Sequence, residues 1–317
     1  MMAERVTQFL FAISLIVANP LLAQQVPIDS GEPEWLRVSD TDIETRPTTS
    51  ISHEADVGFS YSGEMGVDQG TRDLGDQDAF NSYVNYTAAF PIHESIQARV
   101  GFSWDRYSFG APSATPLPDT LQQTSLNIGF DIELADKWLM RLEAAPGIYS
   151  DFEDISLTDV NVPVILGFSY FVNSELQWFF GVSADFRREI PILPGVGVRW
   201  QFAEDWTLMF LLPKPQLQYQ IHPAVTAYVG ADLKGGNYAV SKDFGTDIGQ
   251  PNLDNEVVEY LEARLGGGVN YKLHPAVTVG VEAGAVMFRQ YDFQDDDLTL
   301  QSDEPVPYGA ISLKATF

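Results

Sequence analysis

The chain has 317 residues, 18 basic and 44 acidic side chains for a formal net charge of −26, no cysteine, 45% apolar residues and 20% charged ones. The missing cysteine excludes disulfides, thiolate metal sites, cysteine nucleophiles and acyl-cysteine anchors, and so acidic a chain lacks the clustered Lys and Arg a nucleic-acid partner requires. Its 20 Phe, 13 Tyr and 6 Trp give more aromatic surface than a disordered chain carries.

The first segment reads as an export signal over residues 1–23: Arg5, an apolar run from Phe9 to Ala18, and cleavage after Ala23. That run is too short for a helical span, which needs about 20 apolar residues. Residues 24–53, with Pro27, Pro33 and Pro47 and no alternation, read as a periplasmic tail or a segment reaching into a lumen. No later stretch supplies a helical span either, so a membrane location requires a closed barrel, the other way to pair every backbone group in lipid.

From residue 54 to 317 the dominant period is two. Ile96, Ala98, Val100, Phe102 and Trp104 alternate with Gln97, Arg99, Gly101, Ser103 and Asp105. The same holds for Leu126 to Leu134, Leu176 to Phe186 and Val277 to Ala285, the pattern of strands half buried against something apolar. Segments of this kind fall at 54–63, 80–92, 95–108, 119–134, 137–149, 161–172, 175–188, 194–203, 206–212, 216–222, 224–234, 255–273, 276–291 and 307–317. These make an all-β, antiparallel up-and-down transmembrane barrel of about 14 strands. Twelve is the count if the pair 206–212 and 216–222, each shorter than the roughly 9–11 residues of a tilted spanning strand, is irregular.

The connections sort by length. Tight polar turns stand at 93–95, 135–137, 173–175, 203–205, 222–224 and 274–276, the last two inside the repeated phrase His-Pro-Ala-Val-Thr. Between them lie longer, Gly-, Pro- and Asp-rich connections near 64–79, 109–119, 150–160, 188–194, 234–255 and 292–306, with a short one at Pro213-Lys214-Pro215. A soluble sandwich mixes loop lengths at both ends, whereas an outer-membrane barrel has short periplasmic turns and long extracellular loops.

The chain ends Tyr308-Gly-Ala-Ile-Ser-Leu-Lys-Ala-Thr-Phe317, with Ile311, Leu313, Ala315 and Phe317 on one face. This resembles the C-terminal strand of Gram-negative outer-membrane β-barrels, and the resemblance implies an outer-membrane location and recognition of those four residues by the barrel assembly machinery. Leu211-Leu-Pro-Lys-Pro-Gln-Leu-Gln-Tyr219 is also similar to a segment of an exported bacterial barrel family of unknown function. That match carries over no catalytic or binding residue.

With polar faces turned inward, the lumen-lining candidates are Arg99, Asp105, Asp131, Glu133, Arg141, Glu143, Asp185, Arg187, Arg199, Glu262, Arg264 and Glu282. Interleaved charges of this kind either fill a barrel with a cross-barrel network or line a charged constriction in a water-filled pore. Fourteen strands enclose a backbone diameter of about 28 Å, wide enough for a channel where eight strands fill themselves.

His93, His222 and His274 fall on tight turns and His53 precedes the first segment, so no catalytic constellation, cofactor or metal site is expected. The acidic run Asp295, Asp296, Asp297 is the nearest approach to a calcium site, and it lacks an EF-hand loop's spacing and central Gly. The expected function is a passive pore or transporter for small neutral or cationic solutes, in contact with outer-membrane lipid and lipopolysaccharide. The alternative is a plugged structural or adhesive barrel acting through acidic extracellular loops.

Overall fold

The computed structural model describes residues 50–110, 112, 115–294, 298–302 and 304–317. The expected export signal, the tail up to residue 49, and Asp295, Asp296 and Asp297 lie outside the described residues.

One antiparallel sheet closes on itself as a 14-strand barrel. Its strands are β1 (Ser52–Gln69), β2 (Arg72–His93), β3 (Ile96–Gly110), β4 (Thr120–Ala135), β5 (Trp138–Ala144), β6 (Gly147–Ser150), β7 (Val160–Asn161), β8 (Val164–Phe171), β9 (Leu176–Ala184), β10 (Ile192–Ala203), β11 (Trp206–Phe210), β12 (Gln216–His222), β13 (Val225–Ala239), β14 (Val257–His274), β15 (Val277–Phe293), β16 (Leu298–Ser302) and β17 (Val306–Thr316). The short segments β6, β7 and β16 belong to the rim rather than to the spanning wall. Closure is made by β1 against β17, from Glu54 opposite Thr316 to Ser62 opposite Tyr308. At its base the His53 N–H donates to Phe317 O at 2.7 Å and the Phe317 N–H to His53 O at 2.9 Å.

Alternation sets the two faces. Phe59, Tyr61, Val100, Phe102, Leu126, Ile128, Trp178, Phe180, Val229 and Val281 are exposed on the outside, while Ser60, Gln97, Ser103, Ser125 and Gln177 between them are buried inside. Exposed apolar side chains on this scale mark a lipid-facing belt. Aromatic pairs crowd its short-turn end: Trp138 against Tyr170 and Trp206 against Tyr219, each at 4.8 Å between centroids, an interfacial girdle. Among the described residues no helix is long and apolar enough to cross a membrane; the strands do the crossing.

The rim departs from the sequence expectation in height. Residues 64–79 form no long loop: β1 and β2 run on to Gln69 and Arg72 and join through Gly70-Thr71, with Gly70 at φ +62° supplying the left-handed turn. The wall from β13 through β15, β1 and β2 to β4 is therefore tall, β2 having 22 residues. By contrast β9 has 9 residues and β11 only 5. At about 3.3 Å rise and 40° tilt these lengths span roughly 56, 23 and 13 Å, against an apolar band of about 25 Å. On the tall side the outer face turns from apolar at Tyr61 and Phe80 to charged at Glu64, Asp76 and Asp78, so that side projects beyond the membrane.

The tall wall is closed into a turret. β6 pairs with β4, and its last residue, Ser150, pairs in parallel with Ala239 at the top of β13. The Asp151 N–H donates to Ala239 O at 3.0 Å, and Thr120 Oγ1 donates to Asp151 O at 2.9 Å. A buried core that includes Tyr107, Phe109, Leu121, Tyr238, Phe244, Leu253, Tyr260, Tyr291, Phe293 and Leu300 fills this storey. Phe244 and Leu253 come from the connection between β13 and β14, whose helical turns Phe244–Asp247 and Pro251–Leu253 fold inward.

Candidate functional site

The barrel interior holds most of the charged residues that alternation turns inward, and they form separate clusters. On β14 and β15, Glu262 lies between two guanidiniums: Arg264 Nε donates to Oε1 at 2.5 Å and Arg289 Nη2 to Oε2 at 2.6 Å. Arg264 and Arg289 extend across to Ser60 and Ser62 of β1, at 3.0 and 2.7 Å. Glu262 and Arg289 are 0% exposed and Arg264 3%, so this triad fills the interior.

A second cluster surrounds Glu282, which accepts from Tyr228 and Tyr308, both at 2.6 Å, and faces Lys214 Nζ at 3.4 Å. Lys214 also reaches Asp232 at 3.7 Å. Asp105 accepts from Asn81 Nδ2 at 2.6 Å, and Asn81 Oδ1 accepts from Lys234 at 3.1 Å. A third cluster joins β3, β4 and β5: Arg141 grips Asp131 through Nε and Nη2 at 2.5 and 2.7 Å, and Arg99 approaches Asp131 at 3.5 Å. Glu143 and Glu133 share the inner faces of β5 and β4 without being so enclosed, and Arg199 is buried on β10 opposite Gln177 and Met209.

Asp185 and Arg187 depart from the expected wall positions. β9 stops at Ala184 because the Asp185 carboxylate accepts the Arg187 backbone N–H at 3.0 Å, a turn-forming bond that competes with the ladder. Asp185 then ties the rim together, accepting from Asn161 at 3.0 Å and Asn237 at 3.2 Å. Arg187 is no wall residue: it sits in the turn and donates to Val160 O at 3.0 Å, and burial lowers its pKa. The closing-strand residues Ile311, Leu313 and Phe317 are exposed on the outer face, with Ala315 beside them half-buried.

Arg289 and Lys214 are interior residues that strict alternation misses, whereas Lys234 keeps the inward parity of Asp232. Ala263 pairs with Phe288 but Arg264 pairs with Val286, so β15 carries an extra residue at Met287. The inward series Glu282, Gly284, Val286 thereby becomes Arg289, Tyr291, Phe293. A bulge leaves no signature in period or composition. Lys214 lies in the Pro-Lys-Pro turn, which folds into the wall: the Leu233 N–H donates to Pro213 O and the Ala231 N–H to Pro215 O, both at 3.0 Å. The aromatic fill did have a signal, since Tyr107 and Phe109 continue the inward parity of Asp105.

The interior is lopsided. In the tall half, glycines make room for aromatic rings: a Cβ at Gly268 would strike the Tyr228 hydroxyl, and one at Gly266 that of Tyr308. In the low half, one cross-strand register line runs Asp131, Arg141, Gly167, Gly181, Gly195. A Cβ at Gly195 would meet no heavy atom within 4 Å, and this residue is exposed although it faces inward. Below it Phe179, 0% exposed, packs with Leu211 and Met209 as a floor. Among the described residues no group of His, Asp and Glu could hold a metal ion.

No curated protein matches the sequence. The fold is similar to the COG4313 outer membrane channel from Pseudomonas putida F1, at 8% identity and TM-score 0.47 over 89% of this chain and 100% of that one. It is also similar to a TodX deltaS2S3 mutant monoaromatic hydrocarbon channel, at 9% and 0.45 over 88% and 95%. The Ralstonia pickettii toluene transporter TbuX stands at 10% and 0.38 over 87% and 93%. Likenesses at this level say nothing of what the present chain carries. Residues 91–302 match the family model described as "Domain of unknown function (DUF6268)", and with that span, well over half of the sequence, the chain belongs to the DUF6268 family.

Proposed function

We propose that this outer-membrane β-barrel is a passive conduit for small neutral or cationic solutes, running off-axis along the glycine-faced wall of β8, β9 and β10. The observation that carries it is the lopsided interior: aromatic side chains and the Glu262 triad seal the tall half, while Gly195 faces open space. Asp131 sits between Arg99 and Arg141, and Glu262 between Arg264 and Arg289, so each carboxylate offsets one of its two guanidiniums. The −26 excess, concentrated on the turret and its loops, raises the local cation concentration at the outer face. On this reading the outer belt contacts lipid and lipopolysaccharide, and Ile311, Leu313, Ala315 and Phe317 are the strand that the barrel assembly machinery recognises.

Planar-bilayer recording tests it. The wild-type protein is expected to give a small, cation-preferring conductance, and Gly195→Trp, which fills open space, to cut it several-fold while the heat-modifiable barrel persists on gels. Absence of wild-type conductance would overturn the conduit. It would favour instead a plugged structural or adhesive barrel, the reading to which the fully buried fill of the turret lends support.

A further inference from the structure

Resting on the conduit reading, we propose that the route opens at a shoulder of the barrel, at the height of the outer-leaflet headgroups, and takes small amphipathic molecules with a polar head and a short apolar tail. The axis is blocked, because β6 meets β13 across the mouth and the aromatic core fills the storey above. The staves β5 and β8 to β12 do not continue into that storey. On this proposal the low lobe has its upper opening where the wall drops from 14 staves to the turret, beside the β9–β10 turn, which Gln294 holds to the turret wall by donating Nε2 to Arg187 O at 2.7 Å.

The boundaries of the opening are given by unpaired edges. β10 pairs with β9 from Ile192 to Trp200, but on its other side β11 starts only at Val198. β13 is covered by the Pro213–Pro215 segment only as far as Leu233, and meets the β9–β10 turn again at Asn237, through Asp185. The unpaired edge of β10 starts above Val198, about 13 Å up where β11 ends, and runs through the upper part of the apolar band to Ile192 at the headgroup level. The height agrees: β9, with 9 residues, ends after roughly 23 Å, at the top of a band about 25 Å thick.

The rim around the opening is apolar where a water-facing loop would be polar. Phe186 is 80% exposed and Ile192 59%, with Ile190, Val160 and Val162 also exposed. Arg187 ties the turn to Val160. This patch continues upward from the lipid belt at Phe180, Val182 and Val196, so its occupant is the outer leaflet itself. Inside the rim stand Gly181, Ser183 and Gly195, with Ile165 and Leu193 paired on either side of Ser183, and Arg188 Nη1 lies 3.4 Å from Ser183 Oγ. An apolar lip around a recess that carries Ser183 matches a solute that rests with its tail in lipid and its head in the recess.

The absence of cysteine makes single-site labelling clean. In proteoliposomes with lipids brominated high on the acyl chain, bimane on Phe186→Cys is expected to be quenched strongly. Bimane on Gln69→Cys at the turret tip is expected to be untouched. Gly195→Cys, with Ser183→Cys as the second variant, is expected to react with a membrane-impermeant thiol reagent. Hexyl glucoside is expected to slow that reaction several-fold and glucose not at all. Equal quenching at positions 186 and 69, or equal protection by the two sugars, overturns the shoulder route. The wild-type bilayer conductance, read separately, reports whether the conduit itself stands.

Discussion

Fully buried, Glu262 holds two guanidiniums, and its loss would leave both charges buried without their anion. Glu262→Gln is therefore expected to destabilise the barrel by about 3–5 kcal/mol, read as a lowered urea midpoint of the heat-modifiable form in detergent; an unchanged midpoint would show that the triad is solvated. Glu262 and Arg264 were legible in the sequence as same-face neighbours, as were Arg141 and Glu143. Arg289 was not, because one extra residue at Met287 reverses the parity on which the assignment rests. Arg187 misled for the opposite reason, since alternation continues past Ala184 in the letters while the Asp185 side chain has already ended the strand.

At the scale of the element, the bulge in β15 absorbs one extra residue, so that Arg289, Tyr291 and Phe293 face inward above it. Deleting Met287 would remove the extra residue and leave Val286 opposite Arg264, Phe288 opposite Ala263 and Arg289 opposite Glu262 in regular alternation, so Arg289, Tyr291 and Phe293 keep their inward face. The expected result is that the deletion variant, like Met287→Ala, still forms a heat-modifiable barrel; loss of the barrel in the deletion variant alone would show that the bulge itself is needed. Strand positions and the tight turns were readable because period two and polar punctuation survive in every spanning segment. Strand heights were not. The stretch 64–79, rich in Gly and Asp, reads as a loop, yet most of it is strand, its acids standing on an outward face that has left the membrane. The short pair β11 and β12, the weak point of a fourteen-strand count, is regularly paired within the fourteen-strand wall, and its shortness lowers one side of the rim.

Over the whole molecule, the turret stays closed through a joint between opposite walls. Asp151 supplies its backbone to Ala239 and Thr120, and its carboxylate accepts the Ser241 N–H at 2.6 Å and that of Glu153 at 3.1 Å. Burial raises the Asp151 pKa, and those two N–H groups only partly oppose it. A raised carboxyl holds its proton more tightly in the closed turret than in an opened one. Its contribution to closure is thus fully present below the unfolded pKa and is lost as pH rises through the raised one. Limited proteolysis of the 240–256 connection, normalised to an unstructured peptide, is expected to slow as pH falls through that window. Asp151→Asn, which keeps an acceptor for Ser241, should flatten the response.

The two storeys also divide the barrel mechanically. The long staves β1, β2, β14 and β15 are braced on their inner face and cannot flex without disturbing the triad and the aromatic core. β8 to β12 are shorter, with a line of glycines across β8, β9 and β10 and a bare edge on β10. A shell built this way has a stiff spine and a compliant flank, and thermal breathing gathers in the flank. Widening needed to admit a solute can then be confined to the wall it touches, while the closing seam between β1 and β17 bears none of the deformation.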